Sequence, residues 1–223
     1  MNPSSNPERR RFLAAGAAFT LSATLLGASG CSKGAKNTSR TLPKDATILC
    51  LGDSLTFGYG ATSGASFPTL LEQLTGHVVQ NAGVNGDTSE GALQRLPSLL
   101  EGNKPGLVLV SIGGNDFLRG VPIANTRSAL TAIVDAVKAA GAQAVLVAEP
   151  RPVLIAAATG SLKDHEVYAE VASATGVPLF SDAWSYVLSR ANLRSDQIHA
   201  NDEGYKVFAE KLDAWLREQK IVG

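Results

Sequence analysis

"LCLGDSLTFGYG", residues 49–60, passes from an apolar run through Gly52 into an Asp-Ser pair, then on to Gly58 and Gly60. With Thr47 and Ile48 ahead of it, Thr47–Leu51 is a short uncharged run of the kind that forms a strand covered on both faces. Gly52 is where such a strand turns, and Ser54 sits on the turn. The elbow form of a nucleophilic serine, Gly-x-Ser-x-Gly, has Thr56 here in place of its second glycine. Gly58 and Gly60 read as loop flexibility. The role of Ser54 depends on whether other strands deliver matching groups to the same place.

The rest of the chain repeats the pattern. Val78–Asn81, Leu107–Ile112, Ala144–Ala148 and Val177–Phe180 are short apolar runs bounded by Gly, Pro or Asn. Phe67–Leu74, Ser89–Leu100, Ile123–Ala140 and Leu162–Ser173 carry apolar residues at helical spacing, and Glu203–Arg217 aligns Val207, Phe208, Leu212, Trp215 and Leu216 on one stripe. Strands alternating with helices predict an α/β, doubly wound sandwich with about five parallel strands. Ligands of such sheets bind beyond the carboxyl ends of the strands. Gly52-Asp53-Ser54 follows the first strand, "NAGVNGDTS" (81–89) the second and "GGND" (113–116) the third; "SDQIHAN" (195–201) lies between the fifth strand and the last helix. All four segments converge on one edge.

At 223 residues, 44% apolar and 18% charged, the chain suits one globular domain rather than a disordered or fibrous one. Its formal net charge is zero and it has no basic stripe, which speaks against nucleic acid as a partner. The first thirty residues differ from the rest. Arg9-Arg10-Arg11-Phe12-Leu13 has the twin-arginine pattern, an uncharged stretch runs from Phe12 to Gly30, and Ala28-Ser29-Gly30-Cys31 resembles a bacterial lipobox. Residues 1–30 thus read as an export signal, Cys31 as a lipidation site and 31–43 as a tether, with the folded domain over 44–223. The protein is then exported, periplasmic or at the cell surface, and held to a membrane by the lipid. Cleavage without lipidation and an uncleaved anchor are the alternatives. Cys50, inside an apolar strand, is left without a disulfide partner. No oligomeric state follows.

Phosphate chemistry fails on spacing: five residues separate Gly52 from Gly58, no lysine follows, and Ser63 stands where a dinucleotide fingerprint needs glycine. Metal chemistry lacks ligand spacing among the three histidines, and Asp53, Asp87, Asp116 and Asp196 also suit helix caps. Acyl transfer needs a base near Ser54 and an acid to orient it. His77 opens a strand at the wrong edge, and His165 reads as a solvated helix position. His199 lies on the converging edge with Asp196 three residues before it, a spacing at which one turn brings the carboxylate to Nδ1 and leaves Nε2 for the serine. Donors for an oxyanion are the Ser54 N–H, the Gly86 N–H and the Asn115 amide.

Gly52-Asp53-Ser54-Leu55, Gly86-Asp87-Thr88, Gly113-x-Asn115-Asp116 and Asp196-x-x-His199 resemble, in order and spacing, the four blocks of the SGNH (GDSL) hydrolases. "NAGVNGDTSEGALQRLPSLL" and "LVSIGGNDFLRG" are similar to the thioesterase/lysophospholipase-type arylesterases. The resemblance implies a flavodoxin-like fold and a triad of Ser54, Asp196 and His199. It implies an oxyanion hole of Ser54, Gly86 and Asn115, small-molecule ester or thioester substrates including lysophospholipids, and no cofactor or metal. Asp53 is given a positioning role. Gln197 and Ala200 replace the glycine and proline common in the last block. Pro150, Pro152 and Val153-Leu154-Ile155 would suit one wall of an acyl pocket or the start of a core helix. A carbohydrate O-deacetylase and a non-catalytic surface-anchored binding domain are the competing functions.

Overall fold

A computed structural model of the chain describes residues 40–151 and 162–223. The segment read as an export signal, Cys31 and the Pro152–Ile155 part of the proposed acyl wall lie outside the described residues.

The five strands are β1 (Ile48–Gly52), β2 (Val79–Gly83), β3 (Leu107–Ser111), β4 (Gln143–Val147) and β5 (Leu179–Phe180). They form one sheet in the order β2-β1-β3-β4-β5, with every pairing parallel. This is the flavodoxin-like order of an open doubly wound sheet. The register aligns Gly52 with both Gly83 and Ser111, so β1, β2 and β3 end level with one another.

Period-two alternation sorts the strand side chains into two cores. Ile48, Cys50, Leu107, Leu109, Val145 and Val147 face one layer, and Leu49, Leu51, Val108, Val110, Ala144 and Leu146 the other. Over the first face lie α2 (Phe67–Thr75), α7 (Ala183–Leu188) and α8 (Asp202–Glu218), which bring Phe67, Leu71, Trp184, Phe208 and Leu212 to it. Over the second lie α3 (Ser89–Asn103), α5 (Ile123–Ala139) and α6 (Val167–Thr175), with Leu96, Leu130, Ile133, Val137 and Val171. Each fully buried side chain of this size contributes about 1.5–3 kcal/mol. Two short helices, α1 (Ser54–Phe57) and α4 (Gly114–Leu118), begin at the carboxyl edge directly after β1 and β3.

Three expectations from the sequence need correction. The helix read over Leu162–Ser173 starts at Val167. The residues before it extend the strand layer instead: Asp164 bridges to Pro150, Arg151 N–H donates to Lys163 O, and His165 N–H donates to Glu149 O. His165 is accordingly buried, its ring stacked on Phe117 at 4.2 Å, rather than solvated on a helix. The end of the segment read as tether is also part of the fold. Leu42 is buried and donates to Ile221 O at 2.8 Å, while Arg40 and Gln143 exchange hydrogen bonds at 2.9 and 2.6 Å. Gln143 begins β4, so the described chain enters the domain at the amino edge of the sheet, opposite Ser54.

Candidate active site

Gly52 is required by close approach: a Cβ there would meet Thr56 Oγ1 at 2.0 Å and the Ser111 carbonyl at 2.3 Å. Asp53 caps α1 by accepting the Leu55 N–H at 3.0 Å, which sets Ser54 on the first turn. Thr56, at the place of the elbow's missing glycine, is fully buried in the following turn. Gly60 is a second close approach rather than a loosely held loop residue. Its Cβ would meet Ser195 Oγ at 2.1 Å and the Ala200 carbonyl at 2.8 Å, so the loop after β1 packs on the loop that carries His199.

Ser54, His199 and Asp196 meet. Ser54 Oγ is 3.0 Å from His199 Nε2, and His199 Nδ1 is 2.7 Å from Asp196 Oδ2. Asp196 Oδ1 accepts the N–H groups of Ile198 and His199, both at 2.8 Å, so the carboxylate and the ring are fixed to one turn. Burial pushes the Asp196 carboxyl up, but its bonds to the His199 ring and to these two amides outweigh that and hold it below its ordinary value. With Gln197 and Ala200 in place of glycine and proline, other contacts hold the loop. Asn201 N–H donates to Leu193 O, its side chain donates to Asn192 O and Arg194 O, and its Oδ1 caps α8 through the Gly204 N–H. Tyr59 lies against the imidazole at 4.4 Å between ring centroids.

The three expected oxyanion donors follow β1, β2 and β3 at the carboxyl edge of the sheet, and Ser54 and Asn115 both line the cavity there. Neither the Ser54 nor the Gly86 backbone N–H has a hydrogen-bond partner among the described residues. Gly86 has φ +76°, a left-handed turn that favours glycine. Its carbonyl accepts from Arg119 at 2.8 Å, and its neighbour Asp87 pairs with Arg95, which also donates to the Gly52 carbonyl at 2.9 Å. Asn115 donates one amide hydrogen to Asp53 Oδ2 at 3.1 Å, leaving the other available. Of the remaining aspartates weighed as metal ligands, Asp116 is spent on the Ser89 N–H and hydroxyl at the start of α3, and no cluster with metal-ligand geometry occurs among the described residues.

The pattern of motifs did not point to Glu149. It follows β4, is buried, and accepts from Gly114 N–H at 2.7 Å and Ser111 Oγ at 3.0 Å. Asp53 therefore holds Asn115 by its side chain, and Glu149 holds the backbone just before it. Burial pushes the Glu149 carboxyl well above its usual value, and the Asp53 carboxyl adds to this. Burial likewise raises Asp53, to about 7, against the opposing bonds from Leu55 and Asn115. The visible signal was an acid directly after the apolar run "AVLVA" at the converging edge.

A cavity of about 630 Å³ opens beside Ser54 and His199, with Leu55, Phe117, Leu118, Leu162, Leu188 and Ile198 as its apolar lining. A serine hydroxyl bonded to an oriented imidazole, beside unspent amide donors and an apolar cleft, can carry out acyl transfer.

Known proteins are similar to this chain in sequence and fold. The model of the GDSL-like lipase/acylhydrolase family matches residues 50–207. A thioesterase, protease and lysophospholipase of Escherichia coli is 34% identical over 180 residues, 78% of this chain and 82% of that protein. An arylesterase of Vibrio mimicus is 31% identical over 169 residues, 73% of this chain and 84% of that one. The crystal structure of the esterase EstA from a Pseudoalteromonas species, inhibited by monoethylphosphonate, superposes with a TM-score of 0.70 at 28% identity, covering 78% of this chain and 98% of that one. The blocks around Ser54, Gly86, Asn115 and His199 all fall inside the matched residues, and the chain belongs to the GDSL-like lipase/acylhydrolase family.

Proposed function

We propose that this ester hydrolase cleaves carboxylic esters and thioesters through an acyl-Ser54 intermediate. The observation that carries the reading is the unbroken contact from Asp196 through His199 to Ser54 Oγ. His199 Nε2 takes the Ser54 proton as Oγ attacks the carbonyl carbon. The oxyanion that forms is met by the amides of Ser54 and Gly86 and by the Asn115 side chain. Collapse of the intermediate breaks the bond to the alcohol or thiol, which leaves with the proton held by His199. Water then gives a proton to His199 and attacks the acyl carbon. The second collapse releases the carboxylic acid and returns the proton to Ser54. Short acyl and aryl esters fit the apolar cleft, and lysophospholipids extend the same chemistry.

Hydrolysis of p-nitrophenyl esters of increasing chain length by wild type and Ser54→Ala tests this. Loss of turnover in Ser54→Ala, and labelling of Ser54 by a fluorophosphonate, are expected. Equal rates in the two proteins would overturn the reading. Acetate release from acetylated polysaccharide, with no turnover of longer acyl chains, would assign the site to a deacetylase instead.

Export through residues 1–30, with Cys31 as the lipidated first residue of the mature chain, is part of the same proposal. Its support is the twin-arginine pattern and the lipobox-like stretch in the sequence. Intact mass of the protein from its native membrane distinguishes the lipidated, cleaved and uncleaved forms.

A further inference from the structure

The large apolar side chains left exposed are unevenly placed. Phe57 (52%), Tyr59 (49%), Val84 (46%), Leu118 (50%) and Ile198 (44%) all stand on the carboxyl-edge segments around Ser54, Phe57 and Leu118 at the ends of α1 and α4. They come from four separate segments: those after β1, β2 and β3, and the loop before α8. Leu118 and Ile198 also line the cavity, so these two carry apolar surface from the rim down to the reacting serine. Elsewhere, Leu74 and Val78 lie near the amino edge, and the Tyr186 ring is covered by Arg190 at 3.4 Å.

A rim of this kind costs solubility and marks a surface that meets something apolar. Its position restricts what that can be. A protein seated there would cover the opening to Ser54, whereas a lipid surface would supply ester through it. Charge agrees with a phosphate-bearing surface: Arg151 at this edge is paired with Glu166, but Arg119 and Arg194 stand beside it and make no ion pair among the described residues. Apolar side chains at the level of the headgroups with arginines beside them is the arrangement of proteins that lie on membranes.

We infer that the carboxyl edge docks on a lipid–water interface through Phe57, Tyr59, Val84, Leu118 and Ile198, and that the ester enters the cavity from that interface. This rests on the esterase reading for its substrate, but docking can be measured without catalysis.

The test uses the full chain with Cys31→Ser and Ser54→Ala, so that neither an acyl group on the leader nor turnover contributes. A polarity-sensitive fluorophore is attached at Val84→Cys, or at Glu101→Cys near the amino edge as the control, since Cys50 is buried. On addition of phosphatidylcholine/phosphatidylglycerol vesicles, the Val84 probe is expected to shift to the blue and the Glu101 probe to stay unchanged. No shift at residue 84, or equal shifts at both positions, overturns the proposal.

A second arm keeps Ser54 and compares wild type with Phe57→Gln/Val84→Gln. Turnover of dissolved p-nitrophenyl acetate is expected to stay within twofold, and turnover of micellar lysophosphatidylcholine to fall at least tenfold. Equal loss on both substrates, or none on either, overturns docking. A dimer of the wild type that dissociates in the double variant, without any vesicle effect, would assign the rim to self-association and overturn it too. Absence of all turnover with an intact vesicle response would fault the esterase reading alone.

Discussion

Asp53 and Glu149 put two carboxyl groups where water does not reach, and the bonds they accept fix both ends of the Gly114–Asn115 step. Asp53 has its folded value raised to about 7 by burial, so the folded state keeps that proton after the unfolded chain has lost it. Stability therefore falls as pH climbs from about 4 to about 7, and Glu149, raised in the same direction, adds to the fall. Glu149→Gln keeps an acceptor for Gly114 or Ser111 while removing the charge. Thermal melts should show its midpoint gaining on wild type between pH 5 and pH 8; parallel curves would refute the account. Glu149→Ala leaves both donors unpaired and should cost about 1–3 kcal/mol. Its kcat should fall more than its KM rises. Asp196 behaves oppositely: its lowered value gives stability that is present above about pH 4 and lost as pH falls through the folded value. Asp196→Asn should lower kcat by about 10⁴-fold with the fold intact, as when the orienting acid of other triads is replaced. Steady-state kinetics beside a circular dichroism spectrum checks both halves of that prediction.

The elements show why some of this could be read from the sequence and some could not. Strand and helix periodicity depends on residues close in sequence, and β1, β3 and α8 lie within a residue of the predicted runs. The placement of Ser54, Gly86, Asn115 and His199 at the carboxyl edge was legible because each follows a strand or precedes a helix there. Leu162–Glu166 misled because their helical spacing loses to pairing with Glu149–Arg151, a partner fixed only once β4 is in place. Glu149, Arg95 and Arg119 escaped for the same reason: their bonds reach Ser111, Gly52 and Gly86 across the sheet. The His199 loop offers a test at this scale. Asn201 both caps α8 and ties the loop to Asn192 and Arg194. Asn201→Ala should cost about 1 kcal/mol from the cap alone. It should also lower kcat while KM for p-nitrophenyl acetate moves less than twofold, and a melt with unchanged kinetics would show that the cap does not brace the catalytic loop.

The described residues form a two-cored sandwich whose first residue is Arg40. Deletion of residues 1–39 should leave kcat/KM on dissolved esters within twofold. Deletion through Leu42 removes a buried leucine and its bond to Ile221, and should lower the melting midpoint by several degrees. Both are measured by ester turnover and calorimetry on the purified truncations. The place where the chain joins the domain has a consequence for geography. Arg40 sits at the amino edge, and were Cys31 lipidated as proposed, the nine residues from Ser32 to Arg40 would be all the line joining anchor to domain. Fully stretched they span about 30 Å, while a domain of this size is roughly 40 Å across. An enzyme moored by that end would turn its mouth from its own shore and work on whatever drifts past or lies on the facing bank. Esters in added vesicles should then be cleaved faster than the same esters mixed into the bilayer that holds the anchor.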